Sequence, residues 1–268
     1  MNKGKIFKSY LPLNHNHIPN SAPHRIFVSP ENISQERIML RGELLKKIRL
    51  VLRLNPKDTL RVFDGTGLEY LAQIVSLKPH TGELKIVEKT HPPRESPLET
   101  HLGQALPKSQ KMDFIIQKAV ELGVSEIHPF FSSRTIPHFN LSQAMKKVER
   151  WQKISQEASQ QSGRITIPTV NPPVEFVELL SLPSQGTLKI ILQKGSSHDS
   201  LKNFLMTNQN KRGIFFLVGP EGGFAPEEIT FALDHGFKPI SLGERILRTE
   251  TVALAFLSIL QYELGDMP

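Results

Sequence analysis

Two glycine-bearing segments about twenty residues apart carry the residues best suited to chemistry. The first is Gly219-Pro220-Glu221-Gly222-Gly223-Phe224, directly after the apolar run Ile214 to Val218. The second is Leu242-Gly243-Glu244-Arg245-Ile246-Leu247-Arg248-Thr249-Glu250-Thr251, which opens into the apolar stretch Val252 to Leu260. Each falls where a strand pattern gives way to a helix pattern, the position at which open α/β sheets bind ligands. The first segment is neither a Walker A sequence nor a G-x-G-x-x-G fingerprint, and it lacks the lysine that a P-loop aims at phosphate. Its Glu221 would repel a polyphosphate, so a cationic ligand, or one read through main-chain polar groups, suits it better. In the second, Arg248 is placed to reach an anion, and Ile246 and Leu247 could line a flat, partly apolar pocket. The plainer alternative is a helix N-capped by Thr249, with Glu250 in its first turn and charges in solvent.

The elements that must position these segments follow from periodicity. Met112, Ile115, Ile116, Ala119, Val120 and Leu122 keep a helical stripe; Leu141 to Ala158 keep a longer one. Ile127–Phe131, Leu188–Leu192, Ile214–Val218 and Pro239–Leu242 read as strands, Leu201–Met206 as a short helix. Pro226-Glu227-Glu228 has the proline and acids of a helix start. This alternation predicts a mostly parallel sheet with helices on both faces. Between His24 and Val87 the pattern changes to short strands: Arg25–Val28, Leu60–Phe63, Tyr70–Val75 and Leu84–Val87, with a turn signal at Asp64-Gly65. Leu40–Leu52 reads as a short helix or as helix plus strand. A small barrel or folded sheet accounts for so many strands in so short a span. The expected division is a loose arm over 1–22, a barrel over 23–90, a proline-rich linker over 91–98, and an α/β domain over 99–268. The arm carries His15 and His17 but no carboxylate partners, and reads as solvated.

Composition bounds the function. The chain has 268 residues, no cysteine and a net charge of +7. The missing cysteines exclude disulfides, thiolate metal sites and a cysteine nucleophile, and fit a cytoplasmic protein. No apolar run approaches the ~18–20 residues of a membrane span, so no membrane partner is expected. The first 100 residues carry 16 Lys/Arg against 10 Asp/Glu, the remainder 17 against 16. The positive excess therefore lies in the barrel half, which predicts a polyanion-binding module beside a nearly neutral domain.

The two glycine segments resemble the signature loops of the ribosomal RNA small subunit methyltransferase E family, within the knotted SPOUT class. Lys111 to Val124 resembles a further family segment, as do Arg150-Trp151-Gln152-Lys153-Ile154, Glu157-Ala158 and Gln161-Ser162-Gly163-Arg164. His24 to Val28 and Val62-Phe63-Asp64-Gly65 match its N-terminal part, so that residues 23–264 are covered in order. The chain departs from the pattern before Val51-Leu52-Arg53, where a histidine is expected, and at Gln160, where an acid is usual.

The resemblance implies a PUA-like RNA-binding β-barrel followed by a SPOUT α/β domain with a deep trefoil knot, acting as a homodimer. It implies S-adenosylmethionine as cofactor and methylation of uridine N3 in 16S ribosomal RNA of the small subunit, with no metal. Arg248, Glu250 and Arg164 are the candidate catalytic residues. Leu192, Gly219, Glu221, Gly222, Leu242, Gly243, Ile246, Leu247 and Thr251 are the candidate cofactor contacts, and Arg25, Arg49, Arg53 and Arg61 the candidate RNA contacts. A methyltransferase acting at a ribose 2′-hydroxyl and a non-catalytic ribosome-assembly protein are the alternatives; a nucleotide hydrolase is disfavoured by the missing P-loop lysine.

Overall fold

The computed structural model describes residues 24–135, 141–195 and 201–267; the arm expected over 1–22 lies outside them. The N-terminal unit contains strands β1 (Arg25–Phe27), β2 (Arg37–Leu40), β3 (Thr59–Phe63), β4 (Glu69–Leu77) and β5 (Gly82–Thr90). Helix α1 (Gly42–Lys46), followed by a π turn over Lys47–Val51, lies between β2 and β3. The strands form one sheet in the order β1-β3-β4-β5-β2. It encloses a core that includes Ile26, Ile38, Leu60, Val62, Ala72 and Leu84. The alternation seen along β3 and β4 is the period-2 rule of a sheet with one buried face.

The second unit contains β6 (Glu99–Ala105), α2 (Lys111–Glu121), β7 (Glu126–Phe131), α3 (Leu141–Ser162), β8 (Thr169–Val170), β9 (Val174–Glu175), α4 (Phe176–Leu179), β10 (Leu188–Leu192), α5 (Leu201–Thr207), β11 (Gly213–Val218), α6 (Pro226–Asp234), β12 (Lys238–Ile240) and α7 (Thr249–Leu264). Its seven-stranded sheet runs β12-β10-β11-β6-β7-β8, with β9 also on β7. Every pairing is parallel. Strand β11 is buried on both faces, as a parallel sheet requires. Ile214, Phe216 and Val218 join the core under α2, α3 and α7, while Phe215 and Leu217 join the core under α4 and α6.

Several elements depart from the periodicity: β2, α4 and the central strand β6 have no counterpart in it. Strands β8 and β9 have two residues each, too short for any pattern to register. The last strand is Lys238–Ile240, not Pro239–Leu242. Pro239 is tolerated because β12 is the edge strand, where a missing N–H costs nothing to the ladder.

The units meet along a charged seam. Glu69, buried on β4, receives Arg25 Nε (2.8 Å), Arg61 Nη1 (3.0 Å) and Arg94 Nη1 (3.2 Å). Arg25 also donates to the carbonyls of Ser159, Gln160 and Arg164, and Arg94 to that of Gly163. The Phe27 N–H donates to Gln160 Oε1 (3.2 Å), so the glutamine found where the family pattern has an acid serves the seam.

Candidate active site

A cavity of about 640 Å3 opens at the carboxyl ends of β10, β11 and β12. Leu192, Gly219, Glu221, Gly222, Leu242, Gly243, Ile246 and Leu247 line it, together with Arg245 and Arg248. Thr251 does not: it is exposed on α7, turned away by the helical twist, and Thr249 and Val252 face the cavity in its place. The volume lies within the usual range for a cofactor-sized ligand.

Local interactions fix both loops. Gly219 follows β11 with Phe224 folded back over it; a Cβ there would stand 3.2 Å from the Phe224 ring. Gly243 has φ +104°, a conformation open to glycine and strained for other residues, and a Cβ on it would meet nothing within 4 Å. Thr249 is the first residue of α7 rather than its N-cap, which is Arg248. Its Oγ1 donates to the Gly219 carbonyl (2.7 Å) and accepts from Gln104 Nε2 (3.0 Å). One hydroxyl thus ties the start of the first loop to the end of the second. Behind the first loop, buried Glu228 accepts the Ala225 N–H at the start of α6 (2.8 Å) and the Ser133 N–H after β7 (2.9 Å). Arg134 Nη1 donates to the Gly222 carbonyl (2.8 Å).

Lys111, at the first turn of α2, was not among the residues singled out for the site, and it lines the cavity. Its Nζ lies 3.0 Å from Glu221 Oε1 and 3.4 Å from Glu250 Oε2. The second distance is an ion pair without hydrogen-bond geometry, and Glu250 Oε2 is buried with no hydrogen-bond partner among the described residues. The Lys108 N–H also donates to Glu221 (3.2 Å). Burial alone would push the Glu221 carboxyl up, but main-chain N–H donors and Lys111 together hold it below its ordinary value. A carboxylate so held is a poor proton acceptor. No local signal in the sequence brings Lys111 to residues more than a hundred positions away.

The candidate arginines divide sharply. Arg248 is exposed at the cavity, and its guanidinium makes no hydrogen bond or ion pair among the described residues. Arg164 is buried instead in the seam. Its Nη2 and Nε hold Glu95 Oε2 (2.7 and 3.0 Å), and its Nη1 donates to the carbonyls of Val120 (3.1 Å) and Val124 (2.6 Å). With its donors committed, Arg164 has no route to a substrate, and the catalytic role expected for it is corrected to a structural one. Arg25 is corrected likewise: it is consumed by Glu69, three carbonyls and the Phe63 face, 3.9 Å from the ring centroid. Arg61 is tied to Glu69 but half-exposed. Arg49 and Arg53 are exposed beside α1; Arg49 makes only long contacts to the Lys78 and Pro79 carbonyls (3.4 Å). Phe63 and Tyr70 are buried.

A family model described as an RNA methyltransferase domain matches residues 94–261, and one described as an RNA methyltransferase PUA domain matches residues 48–87. Fold and site thus define the class: an RNA methyltransferase with a PUA-like unit ahead of a parallel α/β domain. Ribosomal RNA small subunit methyltransferase E of Buchnera aphidicola (subsp. Schizaphis graminum) is 36% identical over 220 residues, 82% of this chain and 88% of that protein. Its namesake in Mesomycoplasma hyopneumoniae is 37% identical over 240 residues, 88% of this chain and 97% of that one. The crystal structure of the Neisseria gonorrhoeae enzyme of that name, bound to S-adenosylmethionine, superposes with a TM-score of 0.83 at 35% identity, covering 92% of this chain and 100% of that one. The chain belongs to the ribosomal RNA small subunit methyltransferase E family.

Proposed function

We propose that this protein uses S-adenosylmethionine to methylate N3 of a specific uridine in the 16S ribosomal RNA of the small subunit. The cavity suits that cofactor. Main chain at Gly223 and Gly243 is open to close approach, and Leu192, Leu242 and Leu247 offer aliphatic surface for a flat purine. When bound, S-adenosylmethionine supplies a methyl group already activated on a positive sulfur, which leaves as the neutral thioether.

The remaining demands fall on the chain. Uracil N3 must lose its proton before or as it attacks the methyl carbon, and negative charge develops on the ring. Arg248 stabilises that charge; a guanidinium is always cationic and presents a planar fork of donors. The observation that carries this role is the free guanidinium at the cavity, against the full commitment of Arg164 in the seam. The proton passes to solvent: Glu221 is held by main-chain donors and Lys111, and Glu250 does not line the cavity, its Oε2 being buried beside Lys111.

For the RNA, Arg49, Arg53 and the outer donors of Arg61 remain available on the barrel for phosphate contacts. The active form is a homodimer. Exposed Phe114 on α2, Tyr262 on α7 and Ile246 at the cavity mouth are apolar surface that a second copy would cover. The trefoil threading belongs to the same reading: the chain leaves edge strand β12 and returns to α7, which packs against β6 and β11 at the middle of the sheet. Among the described residues no helix is long and apolar enough to cross a membrane, and the substrate puts the enzyme in the cytoplasm.

The test is methyl transfer from labelled S-adenosylmethionine to small ribosomal subunits from a strain lacking this gene, followed by nucleoside analysis. A labelled 3-methyluridine peak is the expected result. Label in a 2′-O-methylated nucleoside would overturn the position, and no label with no cofactor binding would overturn the enzyme.

A further inference from the structure

On the neighbouring strands β6 and β7, toward the amino end of the parallel sheet, three side chains converge that the methyl transfer does not use. His101 lies near the start of β6, and Glu126 and His128 lie two residues apart at the start of β7. The parallel register sets His101 beside Glu126, so all three project from the same face of the sheet. His101 Nδ1 is 3.1 Å from Glu126 Oε2, and His128 Nε2 is 3.5 Å from the same oxygen. All three ligand atoms lie within 4.8 Å of one another. His128 is only 7% exposed, and its Nε2 has no hydrogen-bond partner among the described residues. The Phe215 ring closes one side of the cluster, stacked on His101 at 5.8 Å.

We propose that His101 Nδ1, Glu126 Oε2 and His128 Nε2 form a binding site for a divalent first-row transition metal ion, zinc being the best match. Two imidazoles and one carboxylate are a donor set that zinc takes, with water as the fourth ligand. Zinc–ligand arms of ~2.0–2.1 Å give a tetrahedron with edges of about 3.3 Å. The two separations at Glu126 Oε2 bracket that edge.

The surroundings are those of a ligating set. Glu99 Oε1 lies 3.1 Å from His101 Nε2, on the far side of that ring, as a carboxylate that orients a ligating histidine does. Asn171 Nδ2 donates to Glu126 Oε1 (2.8 Å) and leaves Oε2 for the ion. The two Asn171 amide hydrogens find acceptors in Glu126 Oε1 and the Ile127 carbonyl (3.3 Å), so its 3.2 Å contact with His128 Nδ1 does not dictate that ring's tautomer. His101 and Glu126 are partly exposed, which opens a path for the ion. Because the ligands must be free of protons to bind the ion, affinity falls as pH is lowered. The ion joins β6 to β7 and none of its three ligands lines the cavity.

The test uses tag-free, chelator-stripped full-length protein at neutral pH, titrated with ZnCl2 by calorimetry and with CoCl2 by visible absorption. His15 and His17 of the arm offer two other imidazoles, so a His15→Gln/His17→Gln variant is titrated alongside. The expected result is one zinc per chain, retained in that variant, with the strong visible band of four-coordinate cobalt. His128→Gln and Glu126→Gln are expected to lose the site. Asn171→Ala should weaken it by roughly 10- to 100-fold, as the loss of an orienting partner does. Zinc binding unchanged in His128→Gln, binding lost only in the arm variant, or no binding would each overturn the proposal. Cobalt showing only the weak band of a six-coordinate ion would do the same, independently of how any variant folds.

Discussion

The seam between barrel and α/β domain and the cavity at the carboxyl edge of the sheet are both rich in arginine, and they use it in opposite ways. In the seam, Arg25 and Arg164 meet buried or half-buried carboxylates and main-chain carbonyls until their donors are consumed, and Arg94 joins Arg25 on Glu69. At the cavity, Arg245 and Arg248 stand exposed, while Glu221 and Glu250 of the same loops are held by Lys111 from another helix. A guanidinium whose charge is answered inside the protein holds structure together. One left without a partner beside a cavity is available to a substrate. The residue type is the same, and the surroundings decide the role.

Breaking the seam should give the largest effect. Arg164→Ala leaves Glu95 Oε2 and two carbonyls without their donor while Glu95 Oε1 keeps its main-chain N–H groups, and loss of one partner of a largely buried pair costs about 3 kcal/mol. Denaturant unfolding should show this loss, while turnover per folded molecule stays near normal at low temperature. A fall in turnover with stability intact would reverse the assignment. Arg248→Ala tests the opposite half. Removing one preorganised donor to a developing anion lowers turnover by roughly 10²–10³-fold, with melting temperature and S-adenosylmethionine affinity little changed. Normal turnover would remove Arg248 from the chemistry.

The pH response should also distinguish the two regions. Burial would raise the carboxyls of Glu69 and Glu95, but Arg25, Arg94 and Arg61 around the first, and Arg164 with two main-chain N–H groups around the second, hold both below their ordinary value of 4.5. Groups depressed in the folded state stabilise it above the unfolded value, and that contribution disappears as pH falls through the folded one. The melting temperature should therefore drop below about pH 4.5, and Glu95→Gln should flatten that drop. An unchanged acid limb in Glu95→Gln would show that the seam does not govern it. The smallest effect is expected at Lys111→Met, which frees Glu221 and Glu250 in a half-exposed cluster worth about 1 kcal/mol. KM for S-adenosylmethionine should rise about fivefold with kcat nearly unchanged, and Lys111→Arg should restore it. A fall in kcat alone would move Lys111 from positioning the loops to the reaction itself.

The elements around the site were legible because their signals are local. A strand-period run ending in Gly-Pro, a proline and acids opening α6, and a glycine ahead of an apolar helix each follow from backbone geometry over a few residues. Those signals located both loops and the aliphatic residues of the cavity. They failed at β8 and β9, where two residues carry no period, and at Thr249, whose hydroxyl serves the Gly219 carbonyl thirty positions away rather than its own helix.

By itself the sequence determined the two-part architecture, the bias of positive charge toward the barrel, and the family through its two loops. Only the tertiary structure decided which charges are spent and which are free. Arg25 meets carbonyls more than 130 positions away, Lys111 meets Glu221 110 positions away, and Arg164 meets Glu95 69 positions away. The partner of a long side chain depends on which strands lie side by side. Strand order in a parallel sheet is set by the packing of distant segments into one core, and that leaves no mark on the residues nearby.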